Sequence, residues 1–263
     1  MNSSFVDPRL KGLAMGSSEW FAAQRAMIES KPSIKRCYEL WHTLLIQDAE
    51  SVPPEFKHLP VLELGSGSSF LRERCPGLIT SDVTAGNVDT VIDGRQLPFA
   101  ANSLRALFLT HVFHHIPDVG EFLKEAERVL VPGGVISMVE VTHTPFARFF
   151  FSACHPEPFK DKATSWSFPP GHSMLDSNQA LAWMVFFRDH EKMVKTAPLL
   201  TLERWKYLPW FSYLLSGGVN LRSFIPNFLN NSMPAVDKAI QPLDPLFAIH
   251  WHMTIRKTQA ARK

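Results

Sequence analysis

The chain has 263 residues, of which 45% are hydrophobic and 20% are charged, and its formal net charge is +2. This length allows one sizeable α/β domain with an elaboration, or at most two small domains. The near-balanced charge, without a long basic block, disfavours a dedicated nucleic-acid-binding protein.

The cysteines and the N-terminal residues indicate a reducing compartment. Cys37, Cys75 and Cys154 are odd in number and widely spaced, so they indicate neither a disulfide framework nor a CxxC metal motif. The first residues, MNSSFVDPRLK, lack the apolar core of a signal peptide, and no apolar run is long enough to cross a bilayer. These features predict a cytoplasmic protein without a transmembrane segment.

Two helices are predicted ahead of the first strand. Ser17 and its neighbours are typical of a helix start, and residues Trp20 to Ser30 have helical periodicity. Pro32 interrupts this pattern, after which Ser33 to Glu50 carries apolar residues close to one helical face. Residues 1–55 are therefore predicted to form an N-terminal helical cap.

The stretch from Pro60 to Leu71, PVLELGSGSSFL, predicts a strand followed by a ligand-binding loop. Its apolar run, Val61 to Leu64, is long enough for a buried strand but too short for a helix. The run ends at Gly65-Ser66-Gly67, and a short helix is predicted from Ser68 to Arg74. Backbone N–H groups at such a junction suit the phosphate, carboxylate or ribose of a nucleotide-like cofactor.

The glycines of this loop allow a ligand to approach the backbone closely, because a Cβ atom at Gly65 or Gly67 would obstruct it. The third glycine of the dinucleotide-binding fingerprint is absent, and Ser69 stands in its place. A nicotinamide cofactor is therefore disfavoured.

Four further strands are predicted before residue 142. The second, Ile79 to Asp82, ends in an acid placed to accept ribose hydroxyls, and the third, Val88 to Asp93, ends in another acid. The fourth strand is Leu104 to His111, a helix with one apolar face spans Val119 to Leu130, and a fifth strand covers Val135 to Val141. This alternation predicts a parallel sheet with right-handed crossovers.

Beyond Thr142 the sequence becomes rich in aromatic residues, with 12 of the 20 Phe. Prolines predict an irregular cover from Thr144 to Leu175, followed by a helix that begins at Asp176 or Ser177 and ends near His190. Two last strands are predicted at Leu199 to Arg204 and Leu246 to Arg256. The long insertion between them, Trp205 to Asp244, is more often functional than accidental in a compact domain.

Five short motifs in this order resemble the class I S-adenosylmethionine-dependent methyltransferases of the broad type 11 group. They are ELGSGS, the acid at Asp82, DGRQLPF, HVFHHIPD and RVLVPGG. The resemblance covers about Pro60 to Thr142, and Ser69 in place of glycine is its one departure.

The resemblance implies a Rossmann-like α/β fold with a seven-stranded, mostly parallel sheet and helices on both faces. It also implies that the last two strands form an antiparallel edge pair and that the N-terminal helices partly cover the cofactor. The alternative for those helices is simple packing on the sheet edge. The predicted organisation is a single domain with the helical cap at 1–55, a cofactor-binding core at 56–143, and a sheet-completing, substrate-covering part at 144–263.

By the same resemblance, the site residues are assigned one by one to S-adenosylmethionine. Glu63, Gly65, Ser66 and Gly67 would face its methionine part, and Asp82 would accept hydrogen bonds from the ribose hydroxyls. Asp93 would bind the adenine amino group, with the backbone of Gly94 and Arg95 beside the ring, and His111 would lie next to the reacting methyl. The alternatives are that Asp82 and Asp93 only cap the next element, that Glu63 orients the loop, and that Arg95 faces solvent.

Histidines supply the catalytic candidates. His111, His114 and His115 are clustered, and a neutral imidazole can accept a proton from a hydroxyl. His111 is the predicted catalytic residue, whereas His114 and His115 are expected to support the loop. No metal is predicted, because no Cys or carboxylate joins these histidines at ligand spacing. His155, fixed between prolines near Glu157, is a second catalytic candidate, and its alternative is a rigid loop.

The sequence therefore predicts a methyltransferase that acts on a small or amphiphilic acceptor, including lipid- or glycan-linked molecules, at a hydroxyl oxygen. One alternative is a catalytically inactive methyltransferase-fold binding protein, and another is an RNA-modifying methyltransferase. Peripheral membrane contact by the amphipathic stretch Trp205 to Leu229 is a further hypothesis, although no basic face accompanies it. The acceptor's identity and the oligomeric state are not indicated.

Overall fold

A single twisted sheet of seven strands organises the protein, whose computed structural model describes residues 5–169 and 175–259. In space, the strands follow the order β3-β2-β1-β4-β5-β7-β6. In chain order they are β1 Val61–Leu64, β2 Leu78–Asp82, β3 Thr90–Val91, β4 Leu104–Thr110, β5 Leu130–Val141, β6 Leu200–Tyr207 and β7 His250–Lys257. The predicted α/β class and mostly parallel seven-stranded sheet are confirmed.

The first five strands are parallel, and β7 runs antiparallel to both of its neighbours. All four residues of β1 are buried, as expected for a strand in the middle of a parallel sheet that is covered on both faces. β1 lies between β2 and β4, so its carboxyl end is at the centre of the sheet edge where cofactors bind in such folds.

Helices cover the sheet on both sides. In chain order they are α1 Ser18–Ser30, α2 Pro32–Glu50, α3 Val119–Val129, α4 Pro145–Ala153, α5 Leu181–Trp183, α6 His190–Thr196, α7 Phe211–Leu215, α8 Met233–Ile240 and α9 Asp244–Phe247. Ser17 caps α1 as its side chain accepts a 3.1 Å hydrogen bond from the Trp20 N–H. α2 packs against β4, β5 and β7, with Trp41 fully buried, so it lies across the sheet.

Three predicted elements of the first half differ from the structure. The third strand, predicted from Val88 to Asp93, is limited to Thr90–Val91. The helix predicted from Ser68 to Arg74 is reduced to one 3₁₀ turn at Leu71–Glu73. Ser69 uses its side chain to accept the Leu71 N–H at 3.1 Å, which favours a turn over a helix start. β5 begins at Leu130, earlier than predicted, because Leu130 already pairs with Leu104 of β4. The register then shifts at an irregularity that contains Gly133 and Gly134, and regular pairing resumes at Ala106 and Val135.

The second half is more helical than predicted. α4 begins inside the predicted irregular cover, because Thr144 caps it and Pro145 occupies its first turn. Residues 170–174 of that cover lie outside the described residues. The helix predicted from Asp176 or Ser177 starts later, at α5, then continues as a π-helical turn, Met184–Arg188, and as α6.

The last strands also differ in extent. β6 continues to Tyr207, beyond the predicted end at Arg204. β7 starts at His250, since Leu246 belongs to α9. The insertion between them folds into α7 and α8. Across the described parts of the chain, no helix combines the length and the apolar character needed to span a membrane.

A buried polar network fastens α2 to the sheet. Asp48, 1% exposed, accepts 2.6 Å hydrogen bonds from Ser137 on β5 and Thr254 on β7, and it also contacts His252 and Arg204. Burial by itself would raise the pKa of this carboxyl, but the hydrogen bonds from His252, Ser137 and Thr254 outweigh burial and lower it.

We expect Asp48→Ala to destabilise the protein by about 3–5 kcal/mol, because it leaves buried polar partners without their acceptor. The free energy of unfolding from urea titration measures this. Gln47→Ala is the matched control, since Gln47 is the exposed neighbour on the same helix, and it should change stability by less than about 0.5 kcal/mol. Equal effects of the two substitutions would contradict this account.

Candidate functional site

The loop that follows β1 has the backbone that its sequence predicts. Gly65 and Gly67 have positive φ angles of +62° and +44°, which L side chains rarely adopt. A Cβ atom at Gly65 would lie 2.5 Å from a methyl of Val112, and one at Gly67 would lie 3.0 Å from the ring of Phe21. Phe21 belongs to α1, so the N-terminal helical cap lies directly against this loop.

Asp82, at the end of β2, is turned toward the glycine loop. Its carboxylate accepts the backbone N–H of Gly67 at 3.2 Å and that of Val83 at 2.8 Å. The Ser66 N–H donates to the Ser81 carbonyl at 2.8 Å, which fixes the loop against β2. The structure therefore brings Gly65, Ser66, Gly67 and Asp82 together at one sheet edge.

Asp93, just after β3, is held differently. Its carboxylate accepts the backbone N–H and the guanidinium of Arg95, with a 2.6 Å ion pair. The hydrogen bond from the Arg95 side chain outweighs burial and lowers the pKa of Asp93. A Cβ atom added at Gly94 would lie 3.5–3.7 Å from the side chains of Phe122, Leu64 and Ile116. Arg95 is therefore paired, and part of the hydrogen-bonding capacity of Asp93 is already used.

Glu63 lies beneath the loop. It is 2% exposed, and its carboxylate accepts the Ser66 hydroxyl at 2.9 Å. Burial raises the pKa of Glu63 to about 7, because desolvation disfavours the ionised form. This geometry favours a role in orienting the loop, which is the alternative given above.

His111 follows β4 in a left-handed backbone conformation, with φ of +58°. Its N–H donates to the Val139 carbonyl at 2.9 Å, which holds the turn against β5. Its ring contacts Trp41 and His250 at centroid distances of 5.3 and 4.5 Å. Burial lowers its pKa to about 4, so the imidazole is neutral, and its buried Nε2 has no hydrogen-bond partner in the part of the chain that the structure describes.

His114 lies between the carboxylates of Glu140 and Glu157, and the sequence had not predicted either contact. Its Nδ1 is 2.6 Å from Glu140 on β5, and its Nε2 is 3.3 Å from Glu157. Burial alone would lower the pKa of His114, but the negative charge of Glu140, the hydrogen bond that His114 donates to Glu140 and the nearby carboxylate of Glu157 raise it to about 10. His114 therefore carries a positive charge between the two carboxylates.

Glu157 also connects the two further predicted histidines. It lies 3.6 Å from His115 Nε2, and Gln179 donates to Glu157 at 2.8 Å. The same Gln179 amide is 3.0 Å from His155 Nδ1, which also accepts the Glu157 N–H at 3.3 Å. Because Nδ1 accepts, the proton of neutral His155 is on Nε2. Burial lowers the pKa of His155, so this residue is neutral as well.

The sequence patterns did not indicate three residues that lie beside these histidines in the structure. They are Glu140, His250 and Tyr213, and the ring of His250 lies 4.6 Å from that of Tyr213. A signal was present for Glu140, because a single acid inside the apolar run of β5 indicates a buried charge with a partner. No local signal marks His250 or Tyr213, which reach the site from β7 and α7.

One family model and several solved structures are similar to this chain. Residues 62–138 match the family model described as a methyltransferase domain. The geranyl diphosphate C-methyltransferase from Streptomyces coelicolor, solved with Mg²⁺, geranyl diphosphate and S-adenosyl-L-homocysteine, is 12% identical, with a TM-score of 0.50 over 96% of this chain and 90% of that one. At this identity the likeness establishes the fold alone.

Two other solved structures are similar to a lesser degree. A geranyl diphosphate methyltransferase in complex with S-adenosylmethionine is 12% identical over 97% of this chain and 96% of that one, with a TM-score of 0.49. The [4+2]-cyclase SpnF is 14% identical over 83% and 82%, with a TM-score of 0.46. No curated protein matches the chain in sequence.

Residues 62–138 thus match a methyltransferase domain, as the motifs in this part of the chain predicted. S-adenosylmethionine is the cofactor of that family. The residues present fit this cofactor in their chemistry, because the Asp82 carboxylate, a hydrogen-bond acceptor, lies at the end of the strand beside the glycine loop. The side chains of Val112 and Phe21 lie against Gly65 and Gly67.

We expect Gly67→Ala to weaken S-adenosylhomocysteine binding at least about tenfold, since the Cβ atom meets the Phe21 ring and the backbone becomes strained. Isothermal titration calorimetry measures this. Gly77→Ala is the matched control: Gly77 also has a positive φ, +77°, but a Cβ atom there meets nothing within 4 Å. An unchanged affinity in Gly67→Ala would contradict the assignment of the loop.

We expect Glu63→Gln to remove a pH dependence of stability. The folded-state pKa of Glu63, about 7, lies above the ordinary value of 4.5 for a glutamate, so the native state keeps a proton that the unfolded state loses. Wild-type stability should therefore fall as the pH rises from 4.5 to about 7 and stay low above that.

The fall attributable to Glu63 should be about 3–4 kcal/mol over the whole pH range, at about 1.4 kcal/mol per pKa unit. Urea unfolding of wild type and Glu63→Gln at about pH 5 and pH 8 isolates it. Glu55→Gln, at an exposed position, is the control and should keep the wild-type profile. An identical pH profile in Glu63→Gln would show that this carboxyl is ionised throughout.

Proposed function

We propose that the protein transfers a methyl group from S-adenosylmethionine to a hydroxyl oxygen of a small, largely apolar or amphiphilic molecule. One observation carries the proposal. Three rings in mutual contact each hold a buried polar atom that has no hydrogen-bond partner among residues 5–169 and 175–259: Trp41 Nε1, His111 Nε2 and His250 Nδ1. The ring centroids are 4.5–5.6 Å apart.

Buried polar atoms without partners are rare in folded proteins, and each costs about 1–3 kcal/mol. A ligand hydroxyl supplies what these atoms require. It accepts from the Trp41 indole N–H and donates to a neutral imidazole nitrogen. His111 and His250 can be such acceptors because burial lowers the pKa of each below its ordinary value.

The surroundings favour an acceptor with an apolar body. Tyr213 and Phe151 lie beside His250, at centroid distances of 4.6 and 6.5 Å. Phe151 also contacts His155, at 5.3 Å. This aromatic wall belongs to α4 and α7, in the part of the chain that the sequence assigns to covering the substrate.

When bound, S-adenosylmethionine supplies an electrophilic methyl for in-line displacement. The chain's own contribution is mainly to position the two reactants, which accounts for up to about 7–11 kcal/mol in well-oriented reactions. In this proposal Gly65, Ser66, Gly67 and Asp82 hold the cofactor, with Asp93 and Gly94 at its adenine end. His111 accepts the hydrogen bond, and finally the proton, of the acceptor hydroxyl, and His155 orients the acceptor from the opposite side.

We also propose the domain organisation that the sequence predicts. Residues 1–55 form the cap, which is supported by the contact of Phe21 with Gly67. Residues 56–143 form the core, and residues 144–263 complete the same sheet with β6 and β7. One continuous sheet supports a single domain.

The proposal is tested in two steps. Titration with S-adenosylhomocysteine should show binding, and absence of binding would overturn the enzyme assignment. Labelled S-adenosylmethionine should then deliver label to hydroxylated small molecules of an extract. Cofactor binding with label found only in RNA, or in no product, would instead favour the RNA-modifying or the inactive alternative.

We expect His111→Asn to lower methyl transfer about 100-fold or more, as for loss of a general base. Asparagine is the appropriate substitution because it tolerates the positive φ of this position. The rate under saturating cofactor is the measurement, and His58→Asn, at an exposed position, is the control. Unchanged transfer by His111→Asn would remove His111 from the chemistry.

A further inference from the structure

The Glu157 carboxylate lies beside His114 and His115, although more than 40 residues separate them in the sequence. His114 Nε2, His115 Nε2 and the Glu157 carboxylate all lie within 4.8 Å of one another. We propose that these three groups form a binding site for a divalent transition metal ion of the Zn²⁺ type. This inference goes beyond the proposed methyl transfer and does not depend on it.

The separations fit a metal polyhedron better than hydrogen bonds. Glu157 Oε2 is 3.3 Å from His114 Nε2 and 3.6 Å from His115 Nε2. A charge-assisted N–H···O hydrogen bond is shorter, about 2.7–2.9 Å. Two ligands of a tetrahedral zinc ion, at bond lengths of about 2.0–2.2 Å, are about 3.3–3.5 Å apart.

A second layer of hydrogen bonds already orients the ligands. The other ring nitrogen of His114, Nδ1, lies 2.6 Å from Glu140, which is fully buried. A histidine that binds a metal through one nitrogen almost always donates its other N–H to a carboxylate, a carbonyl or water. Glu157 is likewise held by the amide of Gln179, at 2.8 Å. This arrangement presents His114 Nε2 and Glu157 in defined positions.

The ligand set indicates which ion the site would select. Two imidazoles and one carboxylate suit Zn²⁺ and related transition metals, whereas Mg²⁺ prefers oxygen ligands. Three protein ligands leave at least one coordination position open, as in catalytic rather than structural zinc sites. The His114 side chain is 3% exposed, whereas those of His115 and Glu157 are 26% and 18% exposed, so an ion can enter from the outer side.

The site lies beside the proposed acceptor pocket. The ring centroid of His111 is 6.4 Å from that of His114. An ion bound by His114 would occupy the place of the proton between this histidine and Glu157, and its open position could take water or an oxygen of a ligand.

Metal binding is tested with the full chain, without any methyl acceptor. Zn²⁺ alone is used in equilibrium dialysis with metal analysis, and Co²⁺ alone is used for its visible d–d absorption. Wild type should bind about one equivalent of Zn²⁺ and give the intense Co²⁺ spectrum of a low-coordinate site. Glu157→Gln should lose both signals, and Glu140→Gln should bind about 10–100-fold more weakly while retaining all three ligands.

His115→Asn is a second ligand variant, chosen because this partly exposed position tolerates substitution, and it should also lose the Co²⁺ spectrum. Asp161→Asn is the matched control: Asp161 pairs with a single histidine, His143, at 3.1 Å, and its loss should leave binding unchanged. Circular dichroism and thermal unfolding establish that each variant is folded.

Failure of wild type to bind Zn²⁺ stoichiometrically would overturn the proposal. The proposal would also be overturned if folded Glu157→Gln and His115→Asn bound Zn²⁺ as well as wild type does, because other residues would then hold the ion. These metal-binding experiments use no cofactor and measure no methyl transfer. A negative result would therefore reject the metal site without bearing on the proposed methyltransferase activity.

Discussion

The parallel pairing of β1 with both β2 and β4 is the constraint on which the rest of the site depends. Because carboxyl ends of parallel strands meet at one edge of a sheet, it places the glycine loop, Asp82 and His111 side by side although they are separated in sequence. A buried strand of four residues can do this because it is hydrogen-bonded on both sides. The hydrogen bond from the Gly67 N–H to Asp82 then links loop and neighbouring strand directly.

The electrostatics of the site follow from its burial. Glu140 and Glu157 could not remain ionised in this interior without a cation, and His114 between them supplies the charge. His111 and His250, which face aromatic rings, stay neutral because nothing nearby compensates their desolvation sufficiently. Histidines only a few ångströms apart therefore have opposite protonation states, and this allows one group to hold charge while others exchange hydrogen bonds with a ligand.

Elements far apart in the chain enclose this edge. α1 supplies Phe21 against Gly67, α2 supplies Trp41, and β7 supplies His250. α4 and α7 add the aromatic wall. Class I methyltransferase cores share the sheet, so the surrounding helices are the part that can distinguish one acceptor from another. Here the helices contribute aromatic rings, whereas the neutral histidines come from β7 and from the turn after β4.

The sequence by itself determined the α/β class, the mostly parallel seven-stranded sheet, and the similarity to S-adenosylmethionine-dependent methyltransferases. Buried apolar runs, glycines and terminal acids are local signals, and their order along the chain is sufficient to recognise a parallel sheet. It also placed Gly65, Gly67 and Asp82 correctly at one edge, since that follows from strand direction alone. Only the tertiary structure decided that Asp93 pairs with Arg95, that Glu63 lies under the loop, and that the segment after Gly67 is a turn rather than a helix.

Tertiary structure alone also joined Glu140 and Glu157 to His114 and brought His250 to His111. The physical reason is that these contacts cross from β4 to β5, to β7 and to the segment after α4. Hydrogen-bonding and charge interactions between such segments depend on distances in space, which neither spacing nor periodicity along the chain encodes. Local patterns thus specify which strands form and where the loop lies, whereas the charge state and contacts of each histidine arise only when the sheet and its helical cover are assembled.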